Sequence, residues 1–187
     1  MNLRTVLSLP VTLIVLAAAP VVHAETMISG HAGKAFGGDL NDSRTTYGGA
    51  ITFMGERAGF EIEGAYTPDF FGDADEFLGT NNVSTLMANI LLGGRFGRSG
   101  SRVYASVGGG LLKSRVEDID QFFDVSRSDF GVTGGVGIMG FFANNLGVRG
   151  DVRYFRNIGD PEPDNEFDID FGSFSYWRGT GGIAFTF

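Results

Sequence analysis

The stretch "WRGTGGIAFTF", from Trp177 to Phe187, alternates between two kinds of side chain. Counting back from Phe187, every second residue is apolar, aromatic or glycine, including Phe185 and Ile183. The residues between them are small or polar, and Arg178 is charged. A period of two is typical of a β-strand with two different faces. The stretch therefore predicts a strand with one apolar face.

The same alternation recurs in seven earlier segments. It is clearest in "AGFEIEGAY" (58–66), where Phe60 and Ile62 oppose Glu61 and Glu63. The other segments are 27–36, 46–54, 85–96, 103–112, 130–142 and 146–154. Segment 27–36 has the weakest pattern, and we accept it mainly because the strand count needs it. Short connections (55–57, 97–101, 143–145) alternate with long ones (near 37–44, 67–82, 114–128 and 157–170), as in an eight-stranded antiparallel meander.

Residues 1–24 have the pattern of a cleaved signal peptide. Arg4 precedes a short apolar stretch, and the small residue Ala24 stands at the expected cleavage site. The mature chain, residues 25–187, then suits one domain. It contains no cysteine, so disulfides do not stabilise it. Its 30 glycines argue against a helical bundle, because glycine destabilises helices. The net charge of −8 makes nucleic acid an improbable partner.

The apolar faces predict either of two barrels. If they point inward, the chain is a soluble sandwich or lipocalin-like barrel; if they point outward, it is a membrane barrel with a polar interior. Aromatic residues near the strand ends favour the membrane barrel, since they suit two interfacial belts. These residues are Tyr47, Tyr66, Phe96, Phe142, Tyr154, Trp177, Phe185 and Phe187. We therefore predict an all-β fold, an eight-stranded antiparallel up-and-down transmembrane β-barrel.

The chain resembles the small eight-stranded outer-membrane β-barrels of Gram-negative bacteria, the OmpA/OmpX-like family. The terminal "GIAFTF" is similar to the family's assembly signal, with Phe187, Phe185 and Ile183 at alternate positions. The stretch "GVTGGVGIMGFFANNLGVRGDVRYF" (131–155) resembles a recurrent strand–turn–strand of outer-membrane β-barrel domains. The resemblance implies location in the cell outer membrane, contact with membrane lipid and lipopolysaccharide, and insertion by the barrel-assembly machinery.

With the apolar rows outside, charged residues share a narrow interior. The expected set is Glu61, Glu63, Arg95, Arg149, Asp151, Arg153 and Arg178. Three acids and four bases are close to neutral, as expected because an unpaired buried charge is costly. We interpret this set as a structural polar network that plugs the lumen. A narrow or gated ion pathway is the alternative.

The sequence gives little support for catalysis. Lipid A deacylases and palmitoyltransferases on this scaffold need a histidine base. Only His31 remains after signal cleavage, and Ser29 shares its face. A surface or rim position for His31 is the better interpretation, so we predict that the protein is not an enzyme and has no cofactor.

The long loops are acidic. The loop near 157–170 carries Asp160, Glu162, Asp164, Glu166, Asp168 and Asp170, and the two preceding loops add Asp69, Asp73, Asp75, Glu76, Glu117, Asp118, Asp120 and Asp124. Ordinary solvation explains such loops, and contact with a divalent cation or an extracellular protein is the alternative. The short turns and their flanks instead carry Arg57, Arg98 and Arg102.

Together these features predict a monomeric outer-membrane barrel with a structural or surface-interaction role, in adhesion or envelope integrity. The alternative function is transport of small or apolar solutes through a narrow pore or a lateral path between strands.

Overall fold

The computed structural model describes residues 24–40, 42–70, 81–97, 101–117, 124–143, 145–158 and 174–187. For residues 115–117 and 124–128 the description covers the backbone alone. Except for Ala24, the predicted signal peptide lies outside these ranges. Within them, no helix is long and apolar enough to cross a membrane.

Eight strands account for most of the described chain, and each contains most of one predicted segment. They are β1 (Glu25–Phe36), β2 (Arg44–Met54), β3 (Ala58–Pro68), β4 (Asn81–Phe96), β5 (Ser101–Glu117), β6 (Asp124–Phe141), β7 (Leu146–Asn157) and β8 (Ser175–Thr186). Each strand pairs antiparallel with its sequence neighbours, and β1 also pairs with β8, so the sheet closes. The predicted eight-stranded up-and-down barrel is confirmed.

The strands are staggered around the barrel. Successive partners lead from Thr26 on β1 around the wall to Trp177 on β8. The partner of Trp177 on β1 is Phe36, ten residues beyond Thr26. Such a stagger tilts the strands by roughly 35–45° from the barrel axis. A row of partners therefore climbs toward the long-loop end as it passes from β1 to β8.

Strands β4, β5 and β6 are longer than predicted. β4 begins at Asn81, and the β5–β6 hairpin remains paired as far as Glu117 and Asp124. This hairpin takes up part of the loop predicted near 114–128. On β4, Asn81 and Val83 of the extension are buried on the inner face, whereas the opposite face carries Asn82 and Ser84, so the apolar row typical of a lipid-facing strand is missing there.

The large apolar side chains of the alternating rows face outward. Ile62, Val136 and Ile183 are exposed on the barrel wall, whereas Glu61, Glu63 and other members of the opposite rows are buried. A soluble barrel would have its apolar rows in the centre, so this arrangement is inconsistent with one. Outward apolar rows are expected of a barrel surrounded by hydrocarbon.

The predicted aromatic belts lie at the two ends of this wall. Tyr47, Tyr66 and Trp177 are exposed near the long-loop end, and Phe96, Phe142, Phe185 and Phe187 are exposed near the short-turn end. Tyr154 is half-buried because its ring packs 5.2 Å from that of Trp177.

Candidate functional site: the sealed barrel lumen

Inward-facing glycines make room for large side chains in the lumen. A Cβ at Gly137 would lie 2.4 Å from the ring of Tyr104, and a Cβ at Gly135 would lie 2.8 Å from Cγ of Arg153. Heavy atoms of real side chains do not approach so closely, so these positions exclude any larger residue. The narrow barrel thus holds bulky polar groups because their cross-strand neighbours have no side chain.

The middle of the lumen contains a layer of ion pairs between three acids and three arginines. The members of this charged layer are Glu61, Glu63, Arg149, Asp151, Arg153 and Arg178, each at most 8% exposed. Every one of them was predicted to lie there from strand alternation, once the apolar rows were assigned to the outside. Their charges cancel, which limits the cost of holding them away from water.

Arg153 is the hub of the charged layer. Its guanidinium lies 2.8 Å from Glu61, 2.7 Å from Glu63 and 3.0 Å from Asp151. These contacts connect β7 to β3 across the lumen, so one side chain compensates charge on both walls. Charge-assisted bonds of this length are among the stronger polar contacts in proteins.

The remaining arginines complete the layer from either side. Arg149 lies 2.6 Å from Glu61 and 2.7 Å from Asp151, and Arg178 pairs with Glu63. Neutral groups fill further acceptor positions. Tyr104 donates to Asp151 at 2.6 Å, Thr52 donates to Glu61 at 2.8 Å, and Asn89 donates to Glu61 at 3.3 Å.

Arg95 departs from the prediction. Its side chain is 51% exposed and pairs with Glu25 at 2.6 Å at the short-turn mouth of the barrel. Alternation places Arg95 on an inward row, but β4 runs past the end of the lumen there. The side chain therefore reaches the water at the mouth and does not join the charged layer.

Arg102 was missed because it follows a short turn. We did not assign it to the barrel interior, but Arg102 is 1% exposed. It donates to Glu25 at 2.7 Å and to the carbonyl of Gly55 at 2.8 Å. Glu25 on β1 is thus tied to β5 and, through Arg102, to the β2–β3 turn, which fastens the mouth.

Apolar layers lie on both sides of the charged layer, whereas we had expected a polar plug alone. The layer on the short-turn side consists of Met27, Met54, Leu91, Tyr104 and Met139, with Phe141 packed against it. The layer on the long-loop side consists of Ala35, Phe70, Val83, Met87, Leu112, Phe155, Phe174 and Tyr176, with Leu40 packed against it. Both layers are built from inward rows, so the interior is only partly polar.

The long-loop layer is anchored to the charged layer through Phe155. The rings of Phe155 and Tyr176 stack with centroids 5.0 Å apart. The guanidinium of Arg178 lies 4.5 Å from the centroid of Phe155. Phe70 adds an edge contact to Tyr176 at 5.0 Å. Aromatic and cation–π contacts therefore join the two layers without an intervening gap.

His31 also lies inside the barrel, which corrects the expected surface or rim position. Its side chain is 6% exposed, with Nε2 4.0 Å from Glu63. Ser29 faces inward too, and its hydroxyl lies 3.5 Å from a guanidinium nitrogen of Arg149. The two side chains thus point to different charged partners within the network.

The candidate cation ligands Asp160, Glu162, Asp164, Glu166, Asp168 and Asp170 lie outside the described residues, as do most of the other loop acids. Asp69 is described, and its backbone N–H donates to the carbonyl of Asn81 at 2.8 Å. In the part of the chain that the structure describes, no three His, Cys, Asp or Glu side chains are grouped as metal ligands would be.

Solved structures of several outer-membrane and surface proteins share this architecture. Neisserial surface protein A matches with a TM-score of 0.63 at 12% identity, covering 88% of this chain and 97% of that chain. Ail, the attachment invasion locus protein of Yersinia pestis, in complex with the heparin analogue sucrose octasulfate, matches at 0.57 and 17% identity, covering 88% and 99%. Outer membrane protein H of P. aeruginosa matches at 0.53 and 17% identity, covering 88% and 100%.

These identities are low, so the structural matches establish the fold alone. A search of curated protein sequences finds no match. The family comparison is decisive, because residues 9–176 match the outer membrane protein beta-barrel domain. With the match covering most of its length, this chain belongs to the outer membrane protein beta-barrel family.

Proposed function

We propose that the chain is a non-enzymatic, monomeric protein of the bacterial outer membrane with a structural or surface-interaction role. Export would depend on cleavage of residues 1–24, and insertion on the barrel-assembly machinery reading Phe187, Phe185 and Ile183. Ile183 and Phe185 face outward on β8 near the short-turn end, and Phe187 is exposed directly after the strand. Family membership supports the location in the outer membrane.

The stacking of layers in the lumen is the observation that supports a structural role over transport. A solute crossing the barrel would have to displace two apolar layers and separate the ion pairs between them. Apolar constrictions exclude water from narrow pores, and breaking a buried ion pair is strongly unfavourable. The lumen is thus built as a packed interior that holds the barrel wall together.

Planar bilayer recording tests this proposal directly. Purified, folded barrel should give no reproducible channel events above those of bilayers treated with detergent alone. A variant with the long-loop layer cut back, Phe155→Ala combined with Tyr176→Ala, serves as the comparison. Stable unitary conductance from the wild-type barrel would contradict the proposal and support the transport alternative.

Lipopolysaccharide is the proposed lipid partner on the outer wall. Lys34, Lys113 and Arg156 are exposed members of outward rows near the aromatic belt of the long-loop end. Long basic side chains at such a position extend to the level of lipid headgroups, and each favours contact with negative charge.

Cell fractionation with heat-modifiable gel mobility tests location and fold together. The protein should appear in the outer-membrane fraction and migrate faster before heating than after it. Recovery in the soluble periplasmic fraction would contradict both the location and the outward apolar wall.

A further inference from the structure

A furrow crosses the lipid-facing wall from β4 to β8. Its volume is about 840 Å³. Two outward rows of directly paired residues flank it, Leu92–Ala105–Val136–Val152–Gly179 and Gly94–Val103–Ile138–Gly150. Its floor includes backbone of the inward row between them, at residues such as Gly93 and Gly137. The furrow is therefore open to the bilayer and separate from the lumen.

Small residues in these rows make the furrow deep, and packing within the barrel does not require them. A Cβ at Gly94 would meet nothing within 4 Å, and one at Gly150 would lie 3.8 Å from its nearest neighbour. This contrasts with inward Gly137, where a Cβ would clash with Tyr104 at 2.4 Å. The barrel could carry larger side chains in the furrow and still close.

The furrow has the dimensions of one extended hydrocarbon chain. Four interstrand steps of about 4.8 Å separate Leu92 from Gly179, which gives a length of about 19 Å. The exposed side chains along its walls are aliphatic, as in Leu92, Val136 and Val152. Because of the stagger, the furrow climbs from the short-turn side at β4 to the long-loop side at β8, where headgroups of the outer leaflet lie.

A cation stands at the upper end of the furrow. Lys34 on β1 is the direct partner of Gly179, so it continues the row that forms one wall. Its side chain is exposed on the outer face, at the level where a phosphate of an outer-leaflet lipid would lie. An apolar furrow that ends at a basic side chain complements a lipid with a phosphorylated headgroup and long acyl chains.

We propose that this furrow binds one acyl chain of a phosphorylated outer-leaflet lipid whose phosphate pairs with Lys34. The inference rests on the proposed location in the outer membrane and extends it to a defined lipid site. An acyl chain is surrounded by apolar groups both in the furrow and in the bilayer, so the hydrophobic effect does not favour binding. Close packing and the headgroup contact must therefore provide the selectivity.

Native mass spectrometry with bisphosphorylated, hexa-acylated lipid A tests the site. The wild-type barrel should retain one lipid A molecule in the presence of excess phosphatidylcholine. Gly150→Leu fills the furrow and should lower the retained fraction at least five-fold. Gly30→Leu is the matched control, because a Cβ at Gly30 also meets nothing within 4 Å and Gly30 lies on the outer wall outside the furrow.

Headgroup recognition is tested in the same way with dephosphorylated lipid A. Lys34→Gln should abolish the preference for the phosphorylated lipid, whereas Arg57→Gln in the short turn between β2 and β3 should keep it. Equal retention by Gly150→Leu and wild type, or equal losses in Gly150→Leu and Gly30→Leu, would overturn the proposal. A preference that depends equally on Lys34 and Arg57 would overturn it too.

Folding and function are controlled separately. Heat-modifiable mobility must show that each variant is folded before its lipid retention is compared. Bilayer conductance of the wild-type barrel reports on the proposed function and does not depend on the furrow. A silent barrel that retains no lipid A overturns the furrow alone, and a conducting barrel that retains it overturns the structural role alone.

Discussion

Replacing Arg153 with methionine should destabilise the barrel more than any other single charge removal. Methionine keeps much of the length of the side chain but leaves Glu61, Glu63 and Asp151 without their shared partner. The charged layer would then hold three carboxylates and two arginines in a lumen closed by apolar layers. Removing one partner of a buried ion pair costs about 3–5 kcal/mol.

Equilibrium unfolding in urea, followed by tryptophan fluorescence of the barrel in lipid vesicles, measures this loss. Arg95→Met is the matched control, because its side chain is 51% exposed and its pair with Glu25 lies in water at the mouth. Exposed pairs contribute about 0–1 kcal/mol. We therefore expect the two variants to differ by at least 2 kcal/mol, judged from the ranges for buried and exposed pairs.

A double variant separates the loss of charge balance from the loss of packing. Arg153→Met combined with Asp151→Asn returns the layer to two acids and two arginines, paired as Glu61 with Arg149 and Glu63 with Arg178. It should be more stable than Arg153→Met alone by more than 1 kcal/mol, because fewer buried charges remain uncompensated. If Arg153→Met and Arg95→Met lose the same free energy of unfolding, the electrostatic account of the lumen is wrong.

Two further substitutions test the glycine floor and the assembly signal. Gly135→Val should prevent folding, because its Cβ would lie 2.3 Å from the carbonyl oxygen of Val152, whereas Gly30→Val, with nothing within 4 Å, should give wild-type heat-modifiable mobility. A folded Gly135→Val variant would refute the steric argument. Phe187→Ala should lower the yield of folded protein in the outer membrane several-fold, whereas Phe142→Ala, another exposed aromatic of the short-turn belt, should not; equal yields would remove the special role of Phe187.

The barrel was predictable because the membrane imposes one rule on every strand. Lipid covers the outer wall along most of each strand, so the period of two separates the row of Ile62 and Ile183 from the opposite row, and the aromatic residues near the strand ends indicate that the apolar row faces outward. The same alternation places Glu61, Glu63 and Arg153 in the lumen. Even the weak segment 27–36 forms a strand, because β1 must supply partners to both β2 and β8.

Strand alternation shows which face of the sheet a residue lies on, but it does not show how far along the barrel axis the residue lies. This explains why the positions of two arginines near the short-turn mouth were not predicted correctly. Arg95 and Arg102 both belong to inward rows near the short-turn mouth, yet one is half-exposed and the other is buried. Their exposure differs because Arg102 lies within the mouth, where it donates to the carbonyl of Gly55 and to the carboxylate of Glu25. Arg95 pairs with Glu25 from the water side of the mouth. Local sequence contains neither the barrel stagger nor the partner across the lumen.

The apolar layers were hidden for a related reason. Met27 and Leu91 lie on inward rows, where their neighbours along the row are small or polar residues. On the inward row of β6, Met139 has only Phe141 as an apolar neighbour. They meet only because the stagger brings three different strands to the same level of the lumen. A layer built from one residue per strand leaves no local pattern.

The order of the layers explains how a small barrel can retain six charges inside a membrane. Ion pairs are weak when water competes for their hydrogen bonds, and the layer around Phe155 and the layer around Met54 exclude water from both ends. The same exclusion makes any imbalance expensive, which is why three carboxylates meet three arginines. Sealing the lumen and balancing its charges are thus one requirement, and a channel through this barrel would have to violate both at once.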